Sequence, residues 1–345
     1  MCTSYTKYFI YLLTKDKKIM SDIKRIALLT SGGDAPGMNA AARAVVRACV
    51  YYNAQAVGVY EGYNGLVNGN FRDLSVRSVN NILGNGGTFL RSSRCPEFRT
   101  VEGRKQAYDN MRQNKIDGLI AIGGDGTFAG AHVFGKEFGI QIAGIPATID
   151  NDIAGTDYSI GYDSASNIVV SCIDKIRDTA LSHNRLFFVE VMGRDTGFIA
   201  LRSGIASGAV CIMMPERPVS VEELVAVLRK GYRNKKSSSI VVVAEGNANG
   251  GAIEIAKAVQ EKYNDYETKV TILGHLQRGG DPSCFDRVIA SEMGVAAVEG
   301  LLSGNTGFMT SYRCGKIVQE PIETSYTQKK KINEHLVKIA QILSI

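Results

Sequence analysis

One acidic stretch carries the residues best suited to chemistry. It lies between an apolar, strand-like run at 141–145 and a helix-like run at 164–179. Its four aspartates are Asp150, Asp152, Asp157 and Asp163. Enzymes with parallel sheets place catalytic carboxylates at the carboxyl ends of their strands, so this stretch is a candidate active-site loop. Asp and Asn are also common turn formers, so a solvated loop fits the same residues. The stretch alone leaves both interpretations open.

Two glycine-rich turns are suited to phosphate binding. The first, S-G-G-D-A-P-G at 31–37, follows a predicted strand at 24–30, and the second, G-G-D-G-T at 123–127, follows one at 117–122. Each precedes a predicted helix, and glycine there lets backbone N–H groups approach a phosphate because no Cβ intervenes. Neither turn is a Walker A loop or a G-x-G-x-x-G dinucleotide turn. The second turn alone is moderately specific, and its Asp125 could be an ordinary turn residue.

Further motifs turn these signals into a family resemblance. The matching stretches are L-T-S-G-G-D-A-P-G-M-N-A (29–40), G-G-T-F-L (86–90), R-C-P-E-F-R (94–99), G-G-D-G-T (123–127), T-I-D-N-D (148–152), V-E-V-M-G-R (189–194) and L-G-H-L-Q-R-G-G (273–280). T-I-D-N-D and G-H-x-Q-R-G-G are the most specific. In their order and spacing the chain resembles the ATP-dependent 6-phosphofructokinases (phosphofructokinase family A, bacterial type) from about residue 24 to about residue 306.

The resemblance implies an α/β fold with two similar lobes, each a largely parallel sheet flanked by helices. The larger, nucleotide-binding lobe would comprise 22–160 and 274–325, and the smaller, sugar-phosphate-binding lobe 161–273 and 326–345. We expect residues 1–21 to be a disordered N-terminal extension. The alternation of strand and helix patterns also predicts parallel sheets built from βαβ units. It gives 269–274 as the last clear strand and a C-terminal helix over 328–342.

The reaction that the resemblance implies is phosphorylation of fructose 6-phosphate at its C1 hydroxyl by ATP–Mg. The products would be fructose 1,6-bisphosphate and ADP, and the reaction is the committing step of glycolysis. Phosphoryl transfer needs an in-line arrangement, neutralised charge and a base for the attacking hydroxyl. By resemblance Asp150 is the base, Arg194 stabilises charge with Thr148 beside it, and Asp125 and Asp152 hold Mg²⁺.

The resemblance also assigns binding residues. For ATP they are Gly32, Tyr63, Arg94, Cys95, Arg99, Gly124, Asp125, Gly126 and Thr127. For the sugar phosphate they are Thr148, Ile149, Asp150, Met192, Gly193, Arg194, Glu245, His275 and Arg278, with Arg185 and Lys269 from a neighbouring subunit. Shared sites imply a homo-oligomer, which we expect to be a tetramer. Without the surrounding G-H-L-Q-R, His275 would be more typical of a structural residue than of a ligand-binding one.

An effector site between subunits is only partly kept. The family positions correspond to Arg43, Arg47, Arg177 and Lys236, and a solvated basic helix face is the alternative. Val76, Val210 and Asn234 replace an arginine, the glutamate and a lysine of the pattern. A valine cannot ligate Mg²⁺, so we expect weak or absent activation by ADP.

Composition excludes several classes of protein. The 345 residues suffice for two domains, and 45% hydrophobic with 21% charged residues is typical of a soluble globular chain. The net charge of +6 comes without blocks of like charge, which argues against nucleic acid and suits small anionic substrates. Seven cysteines without a C-x-x-C pair indicate reduced, cytosolic thiols. No apolar run is long enough for a membrane span. We therefore expect a cytoplasmic protein.

Two other functions remain to be weighed. A pyrophosphate-dependent phosphofructokinase shares the fold, but those relatives have an acidic residue after G-G-D and a lysine before T-I-D. Here the positions are Gly126 and Ala147, which favours ATP, although the ATP-dependent family usually has glycine at the second. A regulatory subunit that binds sugar phosphates without catalysis would be expected to lose T-I-D-N-D or G-G-D, and both are intact.

Overall fold

The computed structural model describes residues 23–181, 185–233, 239–263 and 265–344. The expected N-terminal extension, residues 1–21, lies outside these ranges. The described strands form two sheets, one of seven strands and one of four, with helices packed on them. The predicted α/β class with mostly parallel sheets flanked by helices is confirmed.

The first sheet is mixed, with a parallel centre and antiparallel edges. Its spatial order is β11-β10-β5-β4-β1-β2-β3. Its strands are β1 (Arg25–Thr30), β2 (Gln55–Val59), β3 (Phe71–Leu74), β4 (Gly118–Gly123), β5 (Gln141–Pro146), β10 (Phe308–Arg313) and β11 (Lys316–Pro321). Strands β1, β2, β4, β5 and β10 run parallel, while β3 and β11 pair antiparallel at the two edges. From β1 the chain adds β2 and β3 on one side of the sheet, and then β4, β5, β10 and β11 on the other side. The order of the strands therefore reverses between β1 and β4, which is the topological switch point of the sheet.

The second sheet is parallel throughout. Its order is β7-β8-β6-β9. Its strands are β6 (Arg185–Val191), β7 (Cys211–Met213), β8 (Ser239–Ala244) and β9 (Glu267–Ile272). Strand β6 is central and reads as an almost continuous apolar run, as expected for a strand covered on both faces.

Helices follow most of the strands. They are α1 (Met38–Tyr51), α2 (Tyr63–Asn68), α3 (Val101–Gln113), α4 (Asp125–Phe138), α5 (Tyr162–Leu181), α6 (Phe198–Ala206), α7 (Val221–Arg233), α8 (Ala252–Lys262), α9 (Cys284–Leu302), α10 (Thr324–Thr327) and α11 (Glu334–Leu343). Short 3₁₀ turns occupy Val76–Val79, Glu97–Arg99 and Gly274–Arg278. No helix in the described ranges is both long and apolar enough to span a bilayer.

Small residues bring α1 and α9 close together over the first sheet. A Cβ on Gly294 of α9 would lie 2.7 Å from the Ala44 Cβ and 2.8 Å from the Ala41 carbonyl oxygen of α1. Glycine is therefore required for this approach. The Ser283 side chain caps α9 by accepting a hydrogen bond from the Asp286 amide at 3.1 Å. Helices α1 and α9 thus pack together on the strands that end at the cavity described below.

Strand register brings the loops of each sheet together at one edge. In the first sheet Thr30 pairs with Ile122 and Gly123 with Pro146, so the segments after β1, β4 and β5 are neighbours. In the second sheet the Glu245 amide donates to the Val191 carbonyl at 2.9 Å, and the Leu273 amide to the Glu190 carbonyl at 3.1 Å. Carboxyl ends of parallel strands are where such folds build ligand sites.

The expectation of 269–274 as the last clear strand was wrong. Strands β10 and β11 follow, joined by the two-residue turn Cys314–Gly315, where both residues have positive φ (49° and 79°). That geometry is typical of hairpins but is usually signalled by Asn-Gly or Asp-Gly. In addition, β10 buries the polar Thr310 and Ser311, so its sequence lacks an apolar run.

Two helix boundaries also differ. The last three residues of the G-G-D-G-T motif belong to a helix, because α4 begins at Asp125 and not after the motif. The C-terminal helix begins at Glu334, where the Asn333 side chain accepts hydrogen bonds from the amides of His335 (3.0 Å) and Leu336 (3.3 Å). The helical pattern expected to start at 328 instead holds an extended connection after α10. An Asn cap therefore fixes a start that periodicity placed too early.

Candidate active site

A cavity of about 1030 Å³ opens at the carboxyl ends of β1, β4 and β5. All the residues expected to bind a nucleotide line it: Gly32, Tyr63, Arg94, Cys95, Arg99, Gly124, Asp125, Gly126 and Thr127. The three predicted catalytic residues, Thr148, Asp150 and Arg194, line it as well, and so does Arg278. The structure thus gathers both glycine turns and the acidic loop, the segment between β5 and α5 that carries Asp150, Asp152 and Asp157, around one space.

Other predicted residues lie outside the lining of this cavity. They are Ile149, Asp152, Met192, Gly193, Glu245, His275, Arg185 and Lys269, together with Arg43, Arg47 and Arg177 of the expected effector set. The Ile149 side chain is fully buried in the core, so only its backbone is available to a ligand. His275 is exposed at the carboxyl end of β9. Lys236 and Asn234 lie outside the described residues.

Asp150 is buried at the cavity wall with one oxygen unused. Its amide donates to Thr148 Oγ1 at 3.2 Å, and Oδ2 lies 3.5 Å from that hydroxyl. The other oxygen, Oδ1, has no hydrogen-bond partner among the described residues. Burial, then the charge of Asp152, raises the pKa of Asp150 to about 6, against the opposing charges of Arg278 and Arg194. A carboxylate whose pKa lies near neutral pH and whose second oxygen is free can act as a proton acceptor.

A closed set of hydrogen bonds holds the acidic loop in shape. Asn151 has a left-handed backbone (φ 53°), and its Nδ2 donates to the Asp157 carbonyl at 3.1 Å. Its Oδ1 accepts from the Ser159 amide at 2.9 Å, and Ser159 Oγ donates to the Thr148 carbonyl at 2.6 Å. Both ends of the loop are therefore tied through Asn151 and Ser159. Sequence reasoning missed this role because it treated Asn151 only as a turn former.

Asp125 and Asp152 form a pair of carboxylates beside the cavity. Asp125 begins α4, and its Oδ1 accepts from the Gly126 amide at 2.7 Å. Burial, then the charge of Asp125, raises the pKa of Asp152. The helix has no side-chain cap at Gly124, and its N-terminus opens into the cavity, although the Gly126 N–H is already taken by Asp125 Oδ1. Two carboxylates that repel each other beside such a helix end fit a divalent cation with a phosphate ligand.

Arg194 lies on a turn that the carboxylate of Glu245 holds. Glu245 Oε1 accepts hydrogen bonds from the Gly193 amide (3.2 Å) and the Arg194 amide (2.7 Å). Arg194 has positive φ (56°), an uncommon conformation for a side chain of this size, and Gly193 has φ 146°. Thr196 Oγ1 donates to the Gly193 carbonyl at 2.9 Å. Strain of this kind persists where neighbouring groups enforce it, as Glu245 does here.

Arg278 connects the 3₁₀ turn after β9 with the first glycine-rich turn. Its Nη1 donates to the Asp34 carbonyl at 3.0 Å. A Cβ on Gly33 would lie 2.6 Å from that nitrogen, so glycine is what lets the guanidinium approach the turn. The Gln277 side chain, which is fully buried, accepts from the Met192 amide at 3.2 Å. These contacts join the loops of the two sheets.

The cavity wall formed by Tyr63, Phe98 and Arg104 contains two features that sequence reasoning missed. The Tyr63 ring stacks on Phe98 at 4.1 Å between centroids, and its hydroxyl donates to the Thr127 carbonyl. Arg104 pairs with Glu137 through two hydrogen bonds (2.5 and 2.7 Å) and donates to the carbonyls of Phe98 (3.1 Å) and Arg99 (2.8 Å). Arg104 lies outside every quoted motif, so no sequence signal marked it. Tyr63 is thus a wall residue whose hydroxyl is already used.

Cys95 lines the same wall. It is half-buried, and its thiol lies 3.6 Å from Glu97 Oε2. Burial raises the pKa of the Cys95 thiol, which disfavours the reactive thiolate.

Arg185 and Lys269 lie on the second sheet, away from this chain's cavity. Both bind Glu267: Arg185 Nε lies 2.7 Å from Oε2 and Lys269 Nζ 2.6 Å from Oε1. The hydrogen bond from Lys269, then that from Arg185, lowers the pKa of Glu267 to about 2. Arg185 begins β6, at the opposite end of the strand from the Arg194 turn. A single chain therefore does not bring these two cations to Asp150.

Comparison with known proteins gives consistent similarities. A family model described as phosphofructokinase matches residues 25–301. The ATP-dependent 6-phosphofructokinase 2 of Bacteroides thetaiotaomicron is 49% identical over 94% of this chain and 100% of its own length. The ATP-dependent 6-phosphofructokinase of Listeria welshimeri is 50% identical over 94% of this chain and 100% of its own. A solved structure of phosphofructokinase from Saccharomyces cerevisiae matches with a TM-score of 0.86 at 36% identity, over 93% of this chain and 48% of that one. The chain thus spans about half the length of that yeast protein.

Proposed function

Because the chain belongs to the phosphofructokinase family, we propose that it transfers the terminal phosphoryl group of ATP to the C1 hydroxyl of fructose 6-phosphate. The products are fructose 1,6-bisphosphate and ADP. The observation that carries the proposal is the free Oδ1 of Asp150 at the wall of a cavity lined by both glycine turns. A base and a phosphate-binding surface around one space are what this reaction needs.

The proposed mechanism gives each residue one task. Asp150 accepts the proton of the attacking C1 hydroxyl through its free oxygen. Its pKa of about 6 leaves it ionised at neutral pH. Arg194 reaches the cavity from the second sheet and neutralises charge that develops on the transferring group. Thr148 Oγ1, which accepts from the Asp150 amide at 3.2 Å, fixes the backbone of the base.

Asp125 and Asp152 would hold Mg²⁺ in this proposal. The described ranges contain no group of three or more His, Cys, Asp or Glu side chains placed to hold a metal. Two carboxylates suit Mg²⁺ all the same, because this ion commonly takes one or two of them and completes its shell with substrate phosphates and water. The ion would supply charge neutralisation for the phosphates of the nucleotide.

For the sugar phosphate we propose Thr148, Ile149, Asp150, Met192, Gly193, Arg194, Glu245, His275 and Arg278, with Arg185 and Lys269 from a neighbouring subunit. The support for a shared site is that the last two cations are remote from their own chain's cavity. Their joint partner Glu267 keeps them together at the β6–β9 edge of the second sheet. A homo-oligomer, and specifically a tetramer, belongs to this proposal.

The division into lobes belongs to the same proposal. The nucleotide lobe comprises 22–160 and 274–325, and the sugar-phosphate lobe 161–273 and 326–345. Its support is that the strands of the first sheet fall in 25–146 and 308–321, and those of the second in 185–272.

For regulation we propose a weak response to ADP through Arg43, Arg47, Arg177 and Lys236. In support, the guanidinium of Arg177 already donates to the Ser207 carbonyl of its own chain.

ATP is preferred over pyrophosphate as donor. A Cβ built on Gly126 meets nothing within 4 Å, so the space next to the helix start is open to a nucleotide. Ala147 brings no charge to the cavity wall. The names of the relatives at about half identity also specify ATP.

The test is a product assay on the purified full chain with Mg²⁺ and fructose 6-phosphate, given either ATP or pyrophosphate. We expect fructose 1,6-bisphosphate with ATP and at most trace product with pyrophosphate. Comparable kcat/KM for the two donors would overturn the choice of donor. Absence of product with both donors would overturn the function.

A further inference from the structure

A lysine outside the cavity contacts the acidic loop. Lys330 lies in the connection between α10 and α11, and its Nζ donates to the Asp157 carbonyl at 2.9 Å. The same ammonium lies 5.3 Å from the centroid of the Phe198 ring. The adjacent lysines, Lys329 and Lys331, are exposed, whereas Lys330 is half-buried. A half-buried ammonium with two specific neighbours is not an ordinary surface charge.

The two neighbours of Lys330 lie on the two segments that carry Asp150 and Arg194. Asp157 ends the loop that carries Asp150 and Asp152. Phe198 begins α6, the helix that follows the Arg194 turn. Thr196, which precedes α6, has its Oγ1 2.9 Å from the Gly193 carbonyl. Lys330 therefore contacts both the end of the loop that carries Asp150 and the helix that follows the Arg194 turn.

Asp157 contacts both Lys330 and the residue next to Asp150. A displacement of Lys330 would therefore displace Asp150 through these contacts. Besides Lys330, its carbonyl accepts from Asn151 Nδ2 at 3.1 Å. Its amide donates to the Tyr312 carbonyl at 2.8 Å, and its Oδ2 accepts from the Cys314 amide at 2.8 Å. Asn151 is the residue next to Asp150, and its left-handed backbone depends on this set of contacts. Hydrogen bonds that share an acceptor depend on one another, so loss of Lys330 would alter the contact that holds Asn151.

The charges around Lys330 also indicate a role beside the acidic loop. Burial lowers the pKa of Lys330 to about 8, while the carboxylates of Asp157 and Asp152 act to raise it. Burial, then the charge of Asp125, raises the pKa of Asp152, and the Lys330 ammonium acts against that rise. Lys330 thus offsets negative charge beside the loop without lining the cavity.

We propose that Lys330 is a positioning residue for the phosphoryl transfer: through the Asp157 carbonyl and the Phe198 ring it fixes the acidic loop relative to the Arg194 turn. The inference rests on the proposed function. Lys330 does not line the cavity, so its removal acts on turnover through the placement of Asp150. A displacement near 1 Å of a reacting group can cost about 10²-fold in rate.

The test compares Lys330→Met with the matched controls Lys329→Met and Lys331→Met in the full chain. We expect kcat to fall by about tenfold or more in Lys330→Met, with KM for ATP within about twofold of the parent. The controls should keep the parent kcat. Lys330→Arg should restore most of the rate, because a guanidinium can also donate to the carbonyl and lie over the ring.

A second measurement follows the loop without turnover. Amide hydrogen exchange over 148–159 should accelerate in Lys330→Met and stay at the parent rate in Lys329→Met. Parent-like kcat and exchange in Lys330→Met would overturn the proposal. A loss of kcat that tracked only a loss of folded protein, with Lys330→Arg equally inactive, would overturn it too. An inactive parent chain would count against the proposed function, whereas an active parent with a fully active Lys330→Met counts against this inference alone.

Discussion

Arg194 Nη1 lies 3.7 Å from Asp125 Oδ1, which joins the turn after β6 of the second sheet to the first residue of α4 on the first. Both side chains are well exposed, 62% and 49%, so the pair itself adds little to the free energy of folding. The ion pair matters because it fixes the position of the Arg194 guanidinium. The guanidinium lies opposite the carboxylate that we propose as a Mg²⁺ ligand, and a phosphoryl group in transfer between them would have positive charge on both sides.

Arg194→Ala is expected to lower kcat by about 10²–10³-fold, because removing a donor aimed at developing charge costs that much in comparable sites. The midpoint of thermal unfolding should stay near that of the parent, since the ion pair is exposed. Steady-state kinetics and a melting curve check both. Arg194→Lys should recover only part of the rate, because lysine offers a point charge and no planar fork. Full activity of Arg194→Ala would remove this residue from the mechanism.

The pH profile should report on Asp150. Burial raises its pKa to about 6, so the ionised base is lost as pH falls through about 6 and not near 4, where an ordinary aspartate titrates. We expect kcat/KM for fructose 6-phosphate to decline on the acid side with an apparent pKa close to 6. The substrate phosphate also titrates near this pH, so the control is the residual activity of Asp150→Asn. That residual activity should lose the part of the acid limb that comes from the base; an unchanged limb would assign it to the substrate.

Gly126→Asp tests the space for the donor. The position is open, and it lies in the first helical turn, where an acidic residue does not disturb the fold. A carboxylate there repels the phosphates of the nucleotide, so KM for ATP should rise by about tenfold or more. Gly126→Asn has the same size without the charge and should change KM for ATP by about twofold at most. Equal KM values for the two variants would show that the nucleotide phosphates lie elsewhere.

Residues that belong to a recognisable sequence motif were predictable from the sequence. Residues that support the site only through hydrogen bonds to other parts of the chain were not. The two glycine turns and Asp150 follow strands of the first sheet, whose register brings them to one edge, and Arg194 follows β6 of the second sheet. Arg104 was missed because it lies outside the motifs and its carboxylate partner, Glu137, is on another helix. Lys330 was missed because the Asp157 carbonyl that it binds is far away in the sequence. The β10–β11 hairpin was not predicted because β10 buries polar residues and the turn is formed by Cys314–Gly315, which is not a typical hairpin sequence.

The measurement that tests the account most directly is the turnover of Asp150→Asn. Asparagine keeps the size and polarity of the side chain but cannot accept the proton. We expect the variant to fold, to keep KM for ATP and fructose 6-phosphate within a few-fold of the parent, and to lose about 10²–10⁴-fold in kcat. A variant that retained more than about a tenth of the parent kcat would contradict the account, because the proton would then have to leave through a group other than the free oxygen of Asp150.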